Sequence, residues 1–137
     1  ARSNRIVLGA GGTVAATAVT VGQDGVTNNT IELRGGVLRT GTLTLNAANG
    51  LAPVVGRDAP RPVKVTGKAT FADGSLVSPR LEAGGRWGNY TILEAGSIVN
   101  NGLQLDPAVD PRCWRLEIDA TTATLRCRPA STVLFLR

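Results

Sequence analysis

The chain repeats itself at a fixed spacing, and this repeat constrains the fold more than any other feature of its 137 residues. The segment GGTVAATAVTV at 11–21 returns as GGVLRTGTLTL at 35–45, and NRIVLG at 4–9 resembles NTIELRG at 29–35. A weaker third copy, VKVTGKATFADGSL, follows at 63–76. A period of about 24 or 25 residues is typical of one coil of a parallel β-solenoid. The repeat therefore predicts stacked coils built from short strands.

Within the repeat, apolar residues alternate with threonine, as they do in strands that bury one face. Stacked coils place equivalent residues about 4.8 Å apart. The valines Val19 and Val21 then lie over Leu43 and Leu45 and point inward, whereas the threonines between them point outward. The glycine pairs at 11–12 and 35–36 predict corners. No coil can bury its core face alone, so the stacking of neighbours supplies the stability.

The rest of the composition agrees with an all-β chain. Hydrophobic residues make up 42% of the sequence, aromatic residues only 4%, and 17 glycines separate short β-branched runs. This length suits a single domain with a buried core. It would hold roughly five coils if the solenoid ran throughout.

The repeat fades after Pro53, and GRDAPRP at 56–62 predicts a loop because it combines two prolines with three charged residues. From Trp87 onward the alternating runs are longer. The segment YTILEAGSIVNNGLQL at 90–105 predicts two strands around the turn-forming letters EAGS and NNG. We therefore predict one all-β domain over 1–137, with solenoid coils at about 1–83 and a C-terminal antiparallel β cap at about 84–137.

The segment WRLEIDATTATLRC at 114–127 predicts an antiparallel hairpin with a turn at Ala120–Thr121. One register gives a continuous apolar face, by pairing Trp114, Leu116 and Ile118 with Cys127, Leu125 and Ala123, in that order. This register puts Cys113 and Cys127 on opposite faces. A disulfide between them requires a slipped or bulged pairing, so a disulfide and two free thiols both stay open.

The sequence offers little catalytic chemistry. It contains no histidine, which excludes Ser-His-Asp and Cys-His catalysis and histidine-based zinc sites. Two cysteines do not form a zinc ligand set, and the ten acidic residues are scattered. We therefore expect a protein that is not an enzyme and holds no metal or cofactor.

The net charge is +5, but the 15 basic residues form no run, so nucleic acid is an unlikely partner. No apolar stretch reaches the ~20 residues of a membrane helix, so we expect no membrane span.

Three segments together resemble the C-terminal region of bacterial proteins with autotransporter-associated β-strand repeats. They are VKVTGKATFADGSLV at 63–77, NYTILEAGSI at 89–98 and WRLEIDATTATL at 114–125, and GGVLRTGTLTLN at 35–46 is similar to the repeat itself. The resemblance implies a β-solenoid passenger that is exported to the bacterial cell surface or the extracellular space.

The end of the sequence predicts self-association. The residues Thr132, Val133, Leu134, Phe135 and Leu136 form a short, uncharged and β-prone run that would seek a partner edge. We therefore expect a homo-oligomer or polymer in an extracellular filament, surface layer or adhesin. The alternative is a β-helix that binds or cleaves carbohydrate, in which Trp87 and Tyr90 contact a polysaccharide or a cell surface.

Overall fold

The computed structural model describes residues 5–9, 11–22, 29–56, 61–82 and 86–128, and every regular element in these ranges is a β-strand. The strands, in chain order, are β1 (Arg5–Gly9), β2 (Thr13–Val21), β3 (Thr30–Arg34), β4 (Val37–Leu45), β5 (Gly50–Val55), β6 (Val63–Phe71), β7 (Leu76–Val77), β8 (Arg80–Leu81), β9 (Gly88–Asn100), β10 (Gln104–Leu105), β11 (Trp114–Ile118) and β12 (Thr122–Cys127).

Successive coils contribute strands to two sheets. Sheet A has the order β1-β3-β5-β7-β10, with β8 beside β5, and all of its pairs are parallel. Sheet B has the order β11-β12-β9-β6-β4-β2. Its strands β2, β4, β6 and β9 are parallel, whereas β12 and β11 are antiparallel. The predicted fold class, a parallel β-solenoid followed by an antiparallel β region, is confirmed.

The register between coils is the one that the repeat predicts. In sheet A, Ile6 pairs with Ile31. In sheet B, the first two coils pair Val19 with Leu43, and the third copy continues the ladder from Leu43 to Ala69. Leu43 and Ala69 are fully buried, so the inward ladders form the core between the two sheets. The threonines of the outer ladder, Thr20 and Thr44, pair with each other as predicted.

The turns between coils bury polar side chains that are hydrogen-bonded. The Asn49 side chain is 1% exposed, accepts the Asn29 N–H at 2.9 Å and donates to the Ala47 carbonyl at 2.8 Å. One coil further on, the fully buried Ser75 hydroxyl donates to the Ala72 carbonyl at 2.7 Å. Because buried polar groups are costly only when unpaired, these bonds let the turns stack without an apolar filling.

Three stacked glycines mark a bend in the strands of sheet B, and we call Gly41, Gly67 and Gly96 the glycine corner. A Cβ atom on Gly41 would lie 2.6 Å from the Thr17 carbonyl oxygen of the coil before. A Cβ on Gly67 would lie 2.6 Å from the Gly41 oxygen, and one on Gly96 would lie 2.8 Å from the Thr66 oxygen. At this corner the coils approach too closely for any residue but glycine.

The prediction of two strands around EAGS is wrong, because β9 runs without a break from Gly88 to Asn100. Its residues 88–94 pair with β12 and its residues 93–100 pair with β6. Gly96, which reads as a turn residue in the sequence, belongs to the glycine corner instead. The NNG segment does form the turn that leads to β10, where the Asn100 side chain accepts the Leu103 N–H at 2.9 Å.

The C-terminal hairpin has the predicted register and turn. The cross-strand pairs are Trp114 with Cys127, Leu116 with Leu125, and Ile118 with Ala123. Leu125 and Ala123 are buried under the neighbouring strands, whereas the β11 residues of this face are half-buried because β11 is an edge strand.

Gly67→Ala should destabilise the fold, because the added Cβ would meet the Gly41 carbonyl oxygen at 2.6 Å. We expect a loss of about 1–3 kcal/mol in the free energy of unfolding, the usual cost of forcing an extra carbon into a packed site. Chemical denaturation followed by circular dichroism measures it. Gly56→Ala is the control, since a Cβ there meets nothing within 4 Å. Equal stability of the two variants would contradict the close approach.

Candidate functional site

The first coil presents an open edge, which we define as strands β1 and β2. On one side these strands pair with β3 and β4, and on the other side no strand of the described residues pairs with them. Edge strands of this kind carry a row of backbone N–H and C=O groups that can pair with another chain.

Several large apolar side chains of the open edge are exposed, although Leu8 and Val21 of the same strands are buried. Ile6 is 61% exposed, whereas its partner Ile31 on the next coil is 5% exposed. Val14 is 42% exposed, whereas its partner Leu38 is 3% exposed. Ile6 and Val14 occupy core positions, and no further coil of the described residues lies over them. The open edge is therefore an exposed end of the hydrophobic core, and Val7, 50% exposed on the outer face of β1, adds to its apolar surface.

A buried carboxylate ties the open edge to the coils behind it. Glu32 is 4% exposed and accepts a hydrogen bond from Arg5 of β1 at 3.2 Å. Arg34 also donates to Glu32 and to Glu82, and the hydrogen bond to Glu32 is the first cause of the raised pKa of Arg34. Arg80 lies 3.9 Å from Glu32. Bonds from several guanidinium groups compensate the buried charge, so we interpret this cluster as structural.

The opposite end of the solenoid is built differently. Sheet A ends at β10 and sheet B ends at β11. Between these strands lies a groove of about 460 Å³ whose apolar lining includes Leu105, Trp114 and Leu116. The last described residue, Arg128, donates its backbone N–H to the Cys113 carbonyl at 2.8 Å. The residues predicted to drive self-association, Thr132, Val133, Leu134, Phe135 and Leu136, lie outside the described residues.

The two cysteines are free thiols in this structure. Cys127 is buried against the core, and burial is the main reason that the pKa of its thiol is raised. Cys113 is half-buried and lies just before β11, and the hairpin register pairs Cys127 with Trp114. A raised pKa keeps Cys127 in its unreactive thiol form.

The two aromatic residues of the carbohydrate alternative lie at the start of β9. Trp87 is 61% exposed and precedes the strand. Tyr90 lies within it, packs against the core, and donates its hydroxyl to the Arg86 carbonyl. Trp87 therefore offers a ring to solvent, whereas the Tyr90 hydroxyl is already engaged by the protein.

The closest acidic residues serve as turn caps. Asp106 accepts the Ala108 N–H and the Ser78 hydroxyl, each at 2.9 Å, and Asp110 accepts the Arg112 N–H at 2.9 Å. The described ranges contain no group of three or more His, Cys, Asp or Glu side chains that could hold a metal ion. Asp106 bonds its own loop and the Ser78 hydroxyl after β7, whereas Asp110 bonds its own loop, so we interpret both carboxylates as groups that hold turns in place.

No protein family, curated protein or solved structure matches this chain. Among the residues that the structure describes, no helix is long and apolar enough to cross a membrane. The functional interpretation consequently depends on the geometry of the chain itself, and above all on the open edge.

Asp119→Asn should make the stability of the hairpin less sensitive to acid. The Asp119 carboxylate accepts the N–H groups of Thr121 and Thr122 at 2.8 Å each, and these bonds, together with one from the Thr122 hydroxyl, lower its pKa. Because the folded pKa lies below the ordinary value of about 3.9, the contribution is complete above that pH and is lost as the pH falls through the lowered pKa.

Thermal unfolding of the wild-type protein and the variant, followed by circular dichroism from about pH 6 to about pH 2, measures this difference. We expect a larger drop in Tm for the wild-type protein. Identical acid profiles would show that the turn gains nothing from the ionised carboxylate.

Proposed function

We propose that this chain is a non-enzymatic structural module that self-associates through β-strand edges. The observation that carries the proposal is the open edge, where Ile6 and Val14 expose core positions beside unpaired backbone groups. Monomeric proteins usually protect such edges with charge, proline or a covering segment. A strand from another molecule would cover the apolar side chains and pair the backbone in one step.

The occupant of the open edge is the 132–136 segment of a neighbouring copy. This segment is uncharged and β-prone, and added strands of this type gain affinity from main-chain hydrogen bonds. The donor segment and the acceptor strands are different parts of the chain, so the contact is heterologous. A heterologous contact that does not close into a ring propagates as a filament.

The setting of this assembly is extracellular. The resemblance to proteins with autotransporter-associated β-strand repeats supports an exported protein at the bacterial surface. A filament, a surface layer or an adhesin each uses a repeated β-solenoid as a scaffold. The exposed arginines, such as Arg5, provide sites that acidic polysaccharides of a cell surface can contact.

Deletion of residues 132–137 should abolish assembly, because it removes the donor strand and leaves every described residue in place. Electron microscopy of the purified protein at several concentrations measures the outcome. We expect filaments or large oligomers from the full chain and single particles from the truncated chain. Unchanged polymers from the truncated chain would exclude this segment as the donor.

Ile6→Lys should also prevent assembly, since a charge on an edge strand must be desolvated when a partner strand covers it. Thr42→Lys is the matched control, because Thr42 is exposed on β4, which pairs with a strand on both sides. Sedimentation velocity compares the two variants. If both assemble like the wild-type protein, the open edge is not the acceptor.

Carbohydrate binding is a second candidate, and the exposed ring of Trp87 is the observation that favours it. The apolar face of a sugar ring can pack against an exposed aromatic ring, as other apolar groups do. Titration of acidic and neutral polysaccharides into the protein, followed by tryptophan fluorescence, tests this candidate. A saturable fluorescence change that is lost in Trp87→Ala would support carbohydrate binding. A titration without any fluorescence change would contradict it.

A further inference from the structure

The first coil differs from the other coils of sheet B at one position of the glycine corner. Within sheet B the glycine corner is occupied by Gly41, Gly67 and Gly96, but the equivalent residue of the first coil is Thr17. The spacing between Thr17 and Gly41 is that of the other equivalent pairs, such as Val14 with Leu38. The first coil therefore has a threonine at the corner where the other coils of sheet B have a glycine.

The geometry of the other coils shows what this substitution does. A Cβ at each glycine of the corner would point at a carbonyl oxygen of the coil before it, at 2.6 to 2.8 Å. Thr17 is exposed and its neighbours Ala16 and Ala18 pair with the neighbours of Gly41, so we infer that its Cβ points in the same direction, into the space where a further strand would lie beside β2. A strand that continued the ladder on β2 would bring its carbonyl oxygen within that distance of the Thr17 Cβ. Such contacts are not tolerated, so the strand would be held away.

A second close contact shows that the substitution is selective. Gly36 sits at the corner between sheets A and B, where a Cβ would lie 2.7 Å from the Gly9 oxygen. Its equivalent in the first coil is Gly12, so this corner keeps its glycine. Of these two corners, only the one in the middle of β2 carries a side chain in the first coil. The obstruction that Thr17 introduces therefore lies on β2 and not at the corner that follows β1.

We propose that Thr17 closes the β2 half of the open edge, so that a second copy of this chain adds its strand to β1. The inference rests on the proposed self-association and names the strand that accepts it. β1 contains 5 residues, and the uncharged run at 132–136 has the same length. Ile6 and Val7 of β1 are the two most exposed apolar residues of the edge and lie where that strand would cover them.

The test compares Thr17→Gly with Thr17→Ala in sedimentation velocity over a range of protein concentrations. Thr17→Gly removes the Cβ and opens β2, so its association midpoint should fall at least about tenfold below that of the wild-type protein. Thr17→Ala keeps the Cβ and should associate like the wild-type protein. Equal midpoints for all three proteins would overturn the proposal, and so would a Thr17→Ala variant that behaves like Thr17→Gly.

A second pair of variants tests the choice of strand in a chain that retains Thr17. Ile6→Lys on β1 should abolish association, whereas Val14→Lys on β2 should leave the association midpoint within about twofold of wild type. Loss of association in both variants would mean that β2 also accepts a strand and would contradict the proposal. These two variants decide whether β1 or β2 accepts the added strand even if Thr17→Gly fails to fold. Circular dichroism would show whether Thr17→Gly folds.

The outcomes separate this inference from the proposed function. If the wild-type protein stays monomeric while Thr17→Gly associates, the block at Thr17 is real and the proposed self-association of the natural chain is wrong. If the wild-type protein associates and Thr17→Gly gains nothing, the proposed function stands and the role of Thr17 is overturned.

Discussion

The backbone ladder between successive coils is the interaction on which the rest of this structure depends. Parallel pairing fixes the coils one strand spacing apart, and that spacing decides which side chains fit at each corner. At the glycine corner the coils approach so closely that a Cβ on Gly41 or Gly67 would lie 2.6 Å from an oxygen of the coil before it. The inward ladders through Leu43 and Ala69 then fill the space between the two sheets. The proposed function rests on the same constraint, since no strand of the described residues pairs with the outer side of the first coil.

The two ends of the ladder terminate in different ways, which gives the module a direction. At the far end, β9 receives the antiparallel strand β12 along its first half, so the parallel ladder stops at a hairpin whose apolar face lies over the core. At the near end, β1 and β2 expose core positions. The parallel pairing with β3 and the salt bridge from Arg5 to Glu32 hold β1 against the coil behind it. A strand edge that is already held in place would lose little conformational freedom if a further strand were added.

The sequence predicts much of this fold because the repeat carries the register directly. The pairing of Val19 with Leu43 and the hairpin pairing of Leu116 with Leu125 both follow from apolar alternation. The prediction failed at Gly96, since a glycine beside serine reads as a turn and its real cause, the neighbouring coil, is not local. The exposure of Ile6 does not follow from the apolar alternation, because it depends on whether a further coil covers this residue. The sequence does show one departure from the repeat: the aligned copies place Thr17 opposite Gly41, at a position that is glycine in the other coils of sheet B.

Hydrogen–deuterium exchange of the wild-type protein at low and high concentration tests the central claim most directly, because it reports backbone pairing at each strand. We predict that the amides of β1 become protected as the concentration rises, while the outward amides of β2 keep exchanging at the rate of the dilute protein. Protection of β2 to the same degree as β1, or exchange at β1 that does not depend on concentration, would contradict the account.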